Sequence, residues 1–231
     1  MTTSPVQIAY TEWAATYDTD RNLTRDLDQM VTRTVLAGRH YRAILEIGCG
    51  TGKNTHLLAR IGDYVHAIDF SDGMLAQAKA KGFGPTVTFS VADLTQPWPC
   101  ADQSVDLIAC NLVLEHIADL SVVFAEAART LAPGGHLFIC ELHPFKQYLG
   151  SKAAFQQDEA RIEPPTFVHH VSDFFDAAAR TGFTLTSFKE WWHGDDQHMP
   201  PRLVSFMFAR DGLHCTETAG GSPLPYRDSM H

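Results

Sequence analysis

Ala43 to Gly52 reads Ala-Ile-Leu-Glu-Ile-Gly-Cys-Gly-Thr-Gly: an apolar run, Ile44 to Ile47, carries Glu46 and opens into Gly48, Gly50 and Gly52 at alternate positions, with Cys49 between the first two. Glycine tolerates positive φ and lets another molecule approach the main chain, so a strand, a glycine loop and a following helix form a cradle for a nucleotide-like ligand. Asp69 closes a second apolar run about twenty residues further on, where a carboxylate can accept hydrogen bonds from both hydroxyls of a ribose. Helix capping is its alternative role, one that Ser71 or Asp72 suits better. Asp93 follows a third run beside Leu94 and could accept from an exocyclic amine or stand as an exposed turn acid. Neutral histidine can remove a proton near pH 7, which brings His143, His169 and His170 forward as candidate bases. His143 leads because it follows a strand at the end of the sheet where open α/β folds bind ligands. His169 and His170 precede a helix, which either of them could instead cap. His193 and His198 with Asp195 and Asp196 lack a metal-binding spacing such as His-Glu-x-x-His, and no metal is expected.

The glycine spacing separates two cofactor classes. A dinucleotide site uses G-x-G-x-x-G, whereas this loop is acid-x-G-x-G-x-G and leaves no glycine where a pyrophosphate requires one. The segment resembles the first motif of class I S-adenosylmethionine-dependent methyltransferases. The exit from the fourth strand, Asn111-Leu-Val-Leu-Glu-His-Ile117, is similar to the fourth motif of their small-molecule branch through Asp106, Asn111, Leu114, Glu115 and His116. Together these matches cover roughly residues 44 to 142. The resemblance implies S-adenosyl-L-methionine as cofactor and S-adenosyl-L-homocysteine as product, with the loop around the methionine and ribose. It also implies that Phe70 and Met74 flank the adenine, that Asp93 and Leu94 meet its amine edge, and that Asn111 stands near the methyl or amino group. Glu115 and His116 are explained equally by a helix cap or a surface pair. The first helices of such enzymes close over the cofactor, which makes Tyr10 and Tyr17 substrate candidates beside a packing role; Arg21 could meet the cofactor carboxylate or simply a surface acid.

The elements that must hold these groups follow from periodicity. Helical spacing over Gln7–Tyr17 and Leu23–Leu36, the latter through Leu27, Met30, Val31 and Val35, gives an N-terminal helical cap over residues 1–40. Strands are expected at Ile44–Ile47, Tyr64–Asp69, Thr86–Val91, Ser104–Asn111 and His136–Leu142, with helices from Lys53, near Gly73 and from Asp119; Pro133-Gly134-Gly135 should end the last of these helices. A helix over Val171–Gly182 then precedes two antiparallel strands, Phe183–Trp191 and Arg202–Arg210. The expected fold class is α/β: a Rossmann-like seven-stranded, mostly parallel sheet with an antiparallel last strand, helices on both faces and the N-terminal cap. The methyltransferase domain would run over 41–210, with 143–170, including Tyr148, as a substrate lid or wall, and 211–231 as a tail.

Composition narrows the partners. A net charge of −9 and a pI near 5.7, with no basic run, argue against nucleic acid. No signal-peptide layout or membrane-length apolar stretch is visible, and five unpaired-looking cysteines suit a reducing cytoplasm. Aromatic residues around the expected pocket favour a small, mostly apolar methyl acceptor such as a quinone-like or secondary-metabolism compound, methylated on O, N or C; a homodimer is compatible with the sequence. An NAD(P)-dependent oxidoreductase or a non-catalytic module binding S-adenosylmethionine are the competing readings.

Overall fold

The computed structural model describes residues 4–20, 22–157 and 160–212. Arg21 and residues 213–231, which hold most of the expected tail, lie outside them. Two helices, α1 (Pro5–Trp13) and α2 (Leu23–Val35), precede β1 (Tyr41–Ile47), α3 (Thr55–Ile61), β2 (Gly62–Asp69), α4 (Asp72–Ala80), β3 (Val87–Val91) and β4 (Val105–Asn111). A short 3₁₀ turn, Leu114–His116, leads to α5 (Leu120–Thr130), β5 (Leu131–Leu142) and α6 (Pro144–Tyr148). A small pair, β6 (Phe155–Gln157) and β7 (Ala160–Ile162), is followed by α7 (Val171–Arg180), β8 (Phe183–Trp191) and β9 (Leu203–Arg210).

The main sheet has seven strands in the order β3-β2-β1-β4-β5-β9-β8. Pairings from β3 through β5 are parallel, and β9 runs antiparallel to both its neighbours. This is the expected Rossmann-like sheet with a reversed last strand. Its central strands read as unbroken apolar runs because both faces are covered, with alternate residues serving opposite layers. Leu45, Ile47, Ile108 and Ile139 pack with α5 and α7 through Phe124 and Phe174. Ile44, Leu107, Phe138 and Met207 pack with α2 through Leu27 and Val31. Chain order reverses between β1 and β4, which leaves a crevice beyond their carboxyl ends.

Three local expectations shift. Pro133-Gly134-Gly135 does not terminate α5; the helix stops at Thr130, and β5 already pairs Leu131 with Val105 before a register shift brings His136 opposite Leu107. The glycine pair, with Gly134 at φ +79°, absorbs the extra residues as a bulge. Met30, counted among the apolar positions of α2, is solvent-exposed. Helix α3 begins at Thr55, so Lys53 belongs to the loop. Among the described residues no helix is long and apolar enough to cross a membrane.

Candidate active site

A cavity of about 800 Å³ opens where the crevice is roofed by α1 and α2. That lies within the roughly 300–1,000 Å³ of sites that enclose drug-sized ligands. The loop after β1 forms one wall, with Gly48 and Gly50 at φ +67° and +52°. A Cβ on Gly48 would sit 2.6 Å from Val113 Cγ2, so glycine is required there by space as well as by conformation. Gly52 backs the loop against Phe83 and Ala78 and does not line the cavity, unlike Gly48, Cys49 and Gly50.

Asp69 fixes this wall. Its Oδ2 accepts from the Gly50 N–H at 2.8 Å and its Oδ1 from the Ser71 N–H at 2.9 Å, which ties the tip of β2 to the glycine loop. Each oxygen keeps a lone pair for a ligand hydroxyl. Burial pushes its pKa up to about 6 against the pull of those amide donors. Glu46, inside β1, accepts from the Thr55 hydroxyl at 2.5 Å, and burial raises it to about 8. An acid whose folded pKa lies above its unfolded value stabilises the fold below the unfolded value and loses that contribution as pH rises through the folded one. Wild-type unfolding free energy should therefore fall between pH 5 and 8.5, by an amount on the order of a few kcal/mol, and the melting temperature with it. Glu46→Gln should flatten part of that slope in thermal melts, leaving the share from Asp69, Glu115 and Glu141, which burial also raises.

Phe70, Met74, Asp93 and Leu94 gather at the β2–β3 end of the cavity. Asp93 is exposed, and its Oδ1 accepts from the N–H and hydroxyl of Thr95 at 2.9 and 2.7 Å. At the opposite end α2 supplies groups that sequence reasoning missed. Buried Asp28 accepts from Asn54 Nδ2 at 2.8 Å and from Asn111 Nδ2 at 2.6 Å, which leaves Oδ1 of both amides buried without a partner. Arg25 lies 4.0 Å over the Tyr17 ring and donates to the carbonyls of Tyr17 and Asp20. Arg25, Asp28 and Thr32 stand at i, i+3 and i+7, a polar stripe beside the apolar one, and that spacing was the available signal.

His116 also lines the cavity, in preference to the favoured histidines. Its Nδ1–H donates to the Pro165 carbonyl at 2.9 Å, which leaves the Nε2 lone pair to accept from the Tyr10 hydroxyl at 2.8 Å. Burial lowers its pKa and raises that of Tyr10, so the pair is neutral at physiological pH.

The structure does not bring His143, His169 or His170 to this cavity. Nδ1 of His143 accepts from the Phe145 N–H as the N-cap of α6, and Nε2 pairs with Glu190 at 2.9 Å. His169 Nε2–H is shared between the carbonyls of Leu114 and Ile117. His170 begins α7 and bonds Tyr148, which is exposed and outside the cavity. Both ring nitrogens of His143 are committed to holding α6. His143→Ala should accordingly cost about 1 kcal/mol, a drop of roughly 2–4 °C in melting temperature, with S-adenosylhomocysteine affinity unchanged by calorimetry.

A family model described as "Methyltransferase domain" matches residues 45–139. An uncharacterized methyltransferase of Emericella nidulans is 31% identical over 77% of this chain and 75% of its own length. A ubiquinone biosynthesis O-methyltransferase of Xanthomonas oryzae is 32% identical over 66% of this chain, which spans 63% of that relative. Among solved structures, an S-adenosylmethionine-dependent methyltransferase from Mesorhizobium loti shares the fold with a TM-score of 0.68 at 23% identity, covering 82% of this chain and all of the other. The chain belongs to the class I S-adenosylmethionine-dependent methyltransferases.

Proposed function

We propose that the cavity holds S-adenosylmethionine along its length and presents its methyl group to a hydroxyl-bearing small molecule beside Tyr10 and His116. The neutral Tyr10–His116 pair, with its tautomer fixed by Pro165, is the observation that carries this reading. Residues 1–40 act as a cap over the cofactor, and residues 143–170 as the acceptor's wall.

The residues present fit the cofactor. Asp69 would hold the ribose, Phe70 and Met74 the faces of the adenine, and Asp93 and Leu94 its amine edge. The unpartnered Oδ1 atoms of Asn54 and Asn111, beside the buried Asp28, suit an ammonium group, and Arg25 suits the neighbouring carboxylate. Gly48, Cys49 and Gly50 let the main chain approach the methionine part. When bound, the cofactor supplies a methyl group on a sulfonium, an electrophile that an oriented oxygen nucleophile can attack directly. Protein groups then position the acceptor, exclude water and take up its proton. His116 Nε2 receives that proton, directly or through the Tyr10 hydroxyl, while Pro165 steadies the resulting imidazolium at Nδ1–H.

Relatives named for O-methylation in ubiquinone biosynthesis and for methylation of demethylmenaquinone support a quinone-like, largely apolar acceptor. The Tyr10–His116 pair favours oxygen over nitrogen or carbon, because an alcohol or phenol attacks as its proton is removed, whereas a neutral amine or electron-rich carbon attacks first with its own electron pair. A nicotinamide oxidoreductase is disfavoured by the close Gly48–Val113 packing and the missing third glycine of the dinucleotide pattern. A non-catalytic module would have no use for a buried base. Incubation with methyl-labelled S-adenosylmethionine and a panel of phenols, alcohols and amines tests the proposal. Label should enter hydroxyl compounds and fall with His116→Ala; transfer only to amines, undiminished by that change, would refute it.

A further inference from the structure

A second, smaller cavity of about 120 Å³ adjoins the first and shares Tyr10, Tyr17, Arg25 and Leu112 with it. Its remaining wall is unlike that of the main site: Lys146, Lys152 and Arg202 line it together with Arg25. Four cations around so small a space are unexpected in a chain of net charge −9. At about 30 Å³ per water, it holds about four waters, or a carboxylate and the carbon that bears it.

Lys152 is paired with Glu163, but the charges of the other three cations are not balanced. Lys146 is buried, on α6, and stands 3.6 Å from Asp196 Oδ2. Arg202 uses that same oxygen, at 2.5 Å, so two cations share one carboxylate oxygen while Asp196 Oδ1 has no hydrogen-bond partner. Arg202 also donates to the Thr24 hydroxyl at 3.1 Å, which holds the guanidinium at the cavity wall. Arg25 spends its hydrogen bonds on carbonyls. Among the described residues the one acid lining the space is Glu115, which is buried with Oε2 unpartnered; burial raises its pKa to about 7, and in its acid form it donates to an anion.

Resting on the reading above, we propose that the methyl acceptor carries a carboxylate, which docks on Lys146 and Arg202 in this side cavity and points the rest of the molecule past Tyr10 toward His116. The acceptor is thus an apolar body with an acidic end. Residues 143–170 set specificity through Lys146, which α6 delivers to the wall. Arg25, at the boundary of the two cavities, stays with the cofactor's own carboxylate.

The same cation ring could serve only the cofactor, and the experiment separates the two. Protein saturated with S-adenosylhomocysteine is titrated, by ligand-observed NMR, with benzoate, phenylacetate, cinnamate and salicylate and with the amide of each. At least one acid should bind about tenfold more tightly than its amide, as expected for a charge-assisted contact. Lys146→Gln and Arg202→Gln should each erase that preference, and Lys146→Arg should keep it, all with unchanged affinity for S-adenosylhomocysteine. The proposal is overturned if no acid outbinds its amide, or if Lys146→Gln weakens S-adenosylhomocysteine as much as the acids. Failure of S-adenosylhomocysteine to bind the wild-type chain would instead refute the methyltransferase reading itself.

Discussion

Gly48→Ala is expected to lower affinity for S-adenosylhomocysteine by about 100-fold or more, a cost of roughly 2.7 kcal/mol. Positive φ alone costs a non-glycine residue about 1–2 kcal/mol. The added carbon would also lie 2.6 and 2.8 Å from Val113 Cγ2 and Cβ, distances that force the loop or the exit of β4 to move. Movement of the loop breaks its two anchors, the Cys49 N–H to the Ile68 carbonyl and the Gly50 N–H to Asp69. Gly50→Ala is the informative contrast. Its Cβ would meet nothing within 4 Å, because it points into the open cavity. Both variants should lose ligand affinity, while thermal melts should show Gly48→Ala losing clearly more stability than Gly50→Ala, which carries only the cost of its own positive φ. Equal stability losses in the two variants would show that Val113 does not confine the loop.

His116→Ala should reduce kcat for methyl transfer by about 10²–10⁴-fold, the range for loss of a general base, while S-adenosylhomocysteine affinity stays within about twofold. Tyr10→Phe removes the hydroxyl that fills Nε2 and should produce a smaller loss. The double variant should be no worse than His116→Ala, because groups acting as a unit do not lose rate additively. Burial holds the His116 pKa below the ordinary histidine value. The rate should therefore rise with pH below that value and be flat above pH 7, since the base is the neutral form. A rising limb retained in His116→Ala would assign the titration to another group.

Sequence made the glycine-loop end of the cavity legible because its signals are local. Glu46, the spaced glycines and Asp69 sit in or at the ends of short apolar runs, and their length and flanking glycines mark such runs as strands of a covered sheet. The histidine end of the cavity was not legible for a geometric reason. His116 and His143 both follow a strand at its carboxyl end, and nothing in the chain near either one distinguishes them. The difference comes from distant partners: Pro165 and Tyr10 orient His116 into the cavity, while Phe145 and Glu190 hold His143 beside α6. Asp28 and Arg25 were hidden likewise, since the rotation of α2 about its axis decides whether its polar stripe meets solvent or the cavity. The bulge in β5 resembled a helix stop because proline and glycine serve both ends equally well.

Calorimetric titration of the full chain with S-adenosylhomocysteine, alongside Asp69→Ala and with NAD as comparator, tests the assignment of the cavity most directly. The account predicts a single saturable site, at least about tenfold weaker in Asp69→Ala through loss of hydrogen bonds to a charged group, and no heat with NAD. Undiminished binding by Asp69→Ala, or saturable binding of NAD in place of S-adenosylhomocysteine, would contradict it.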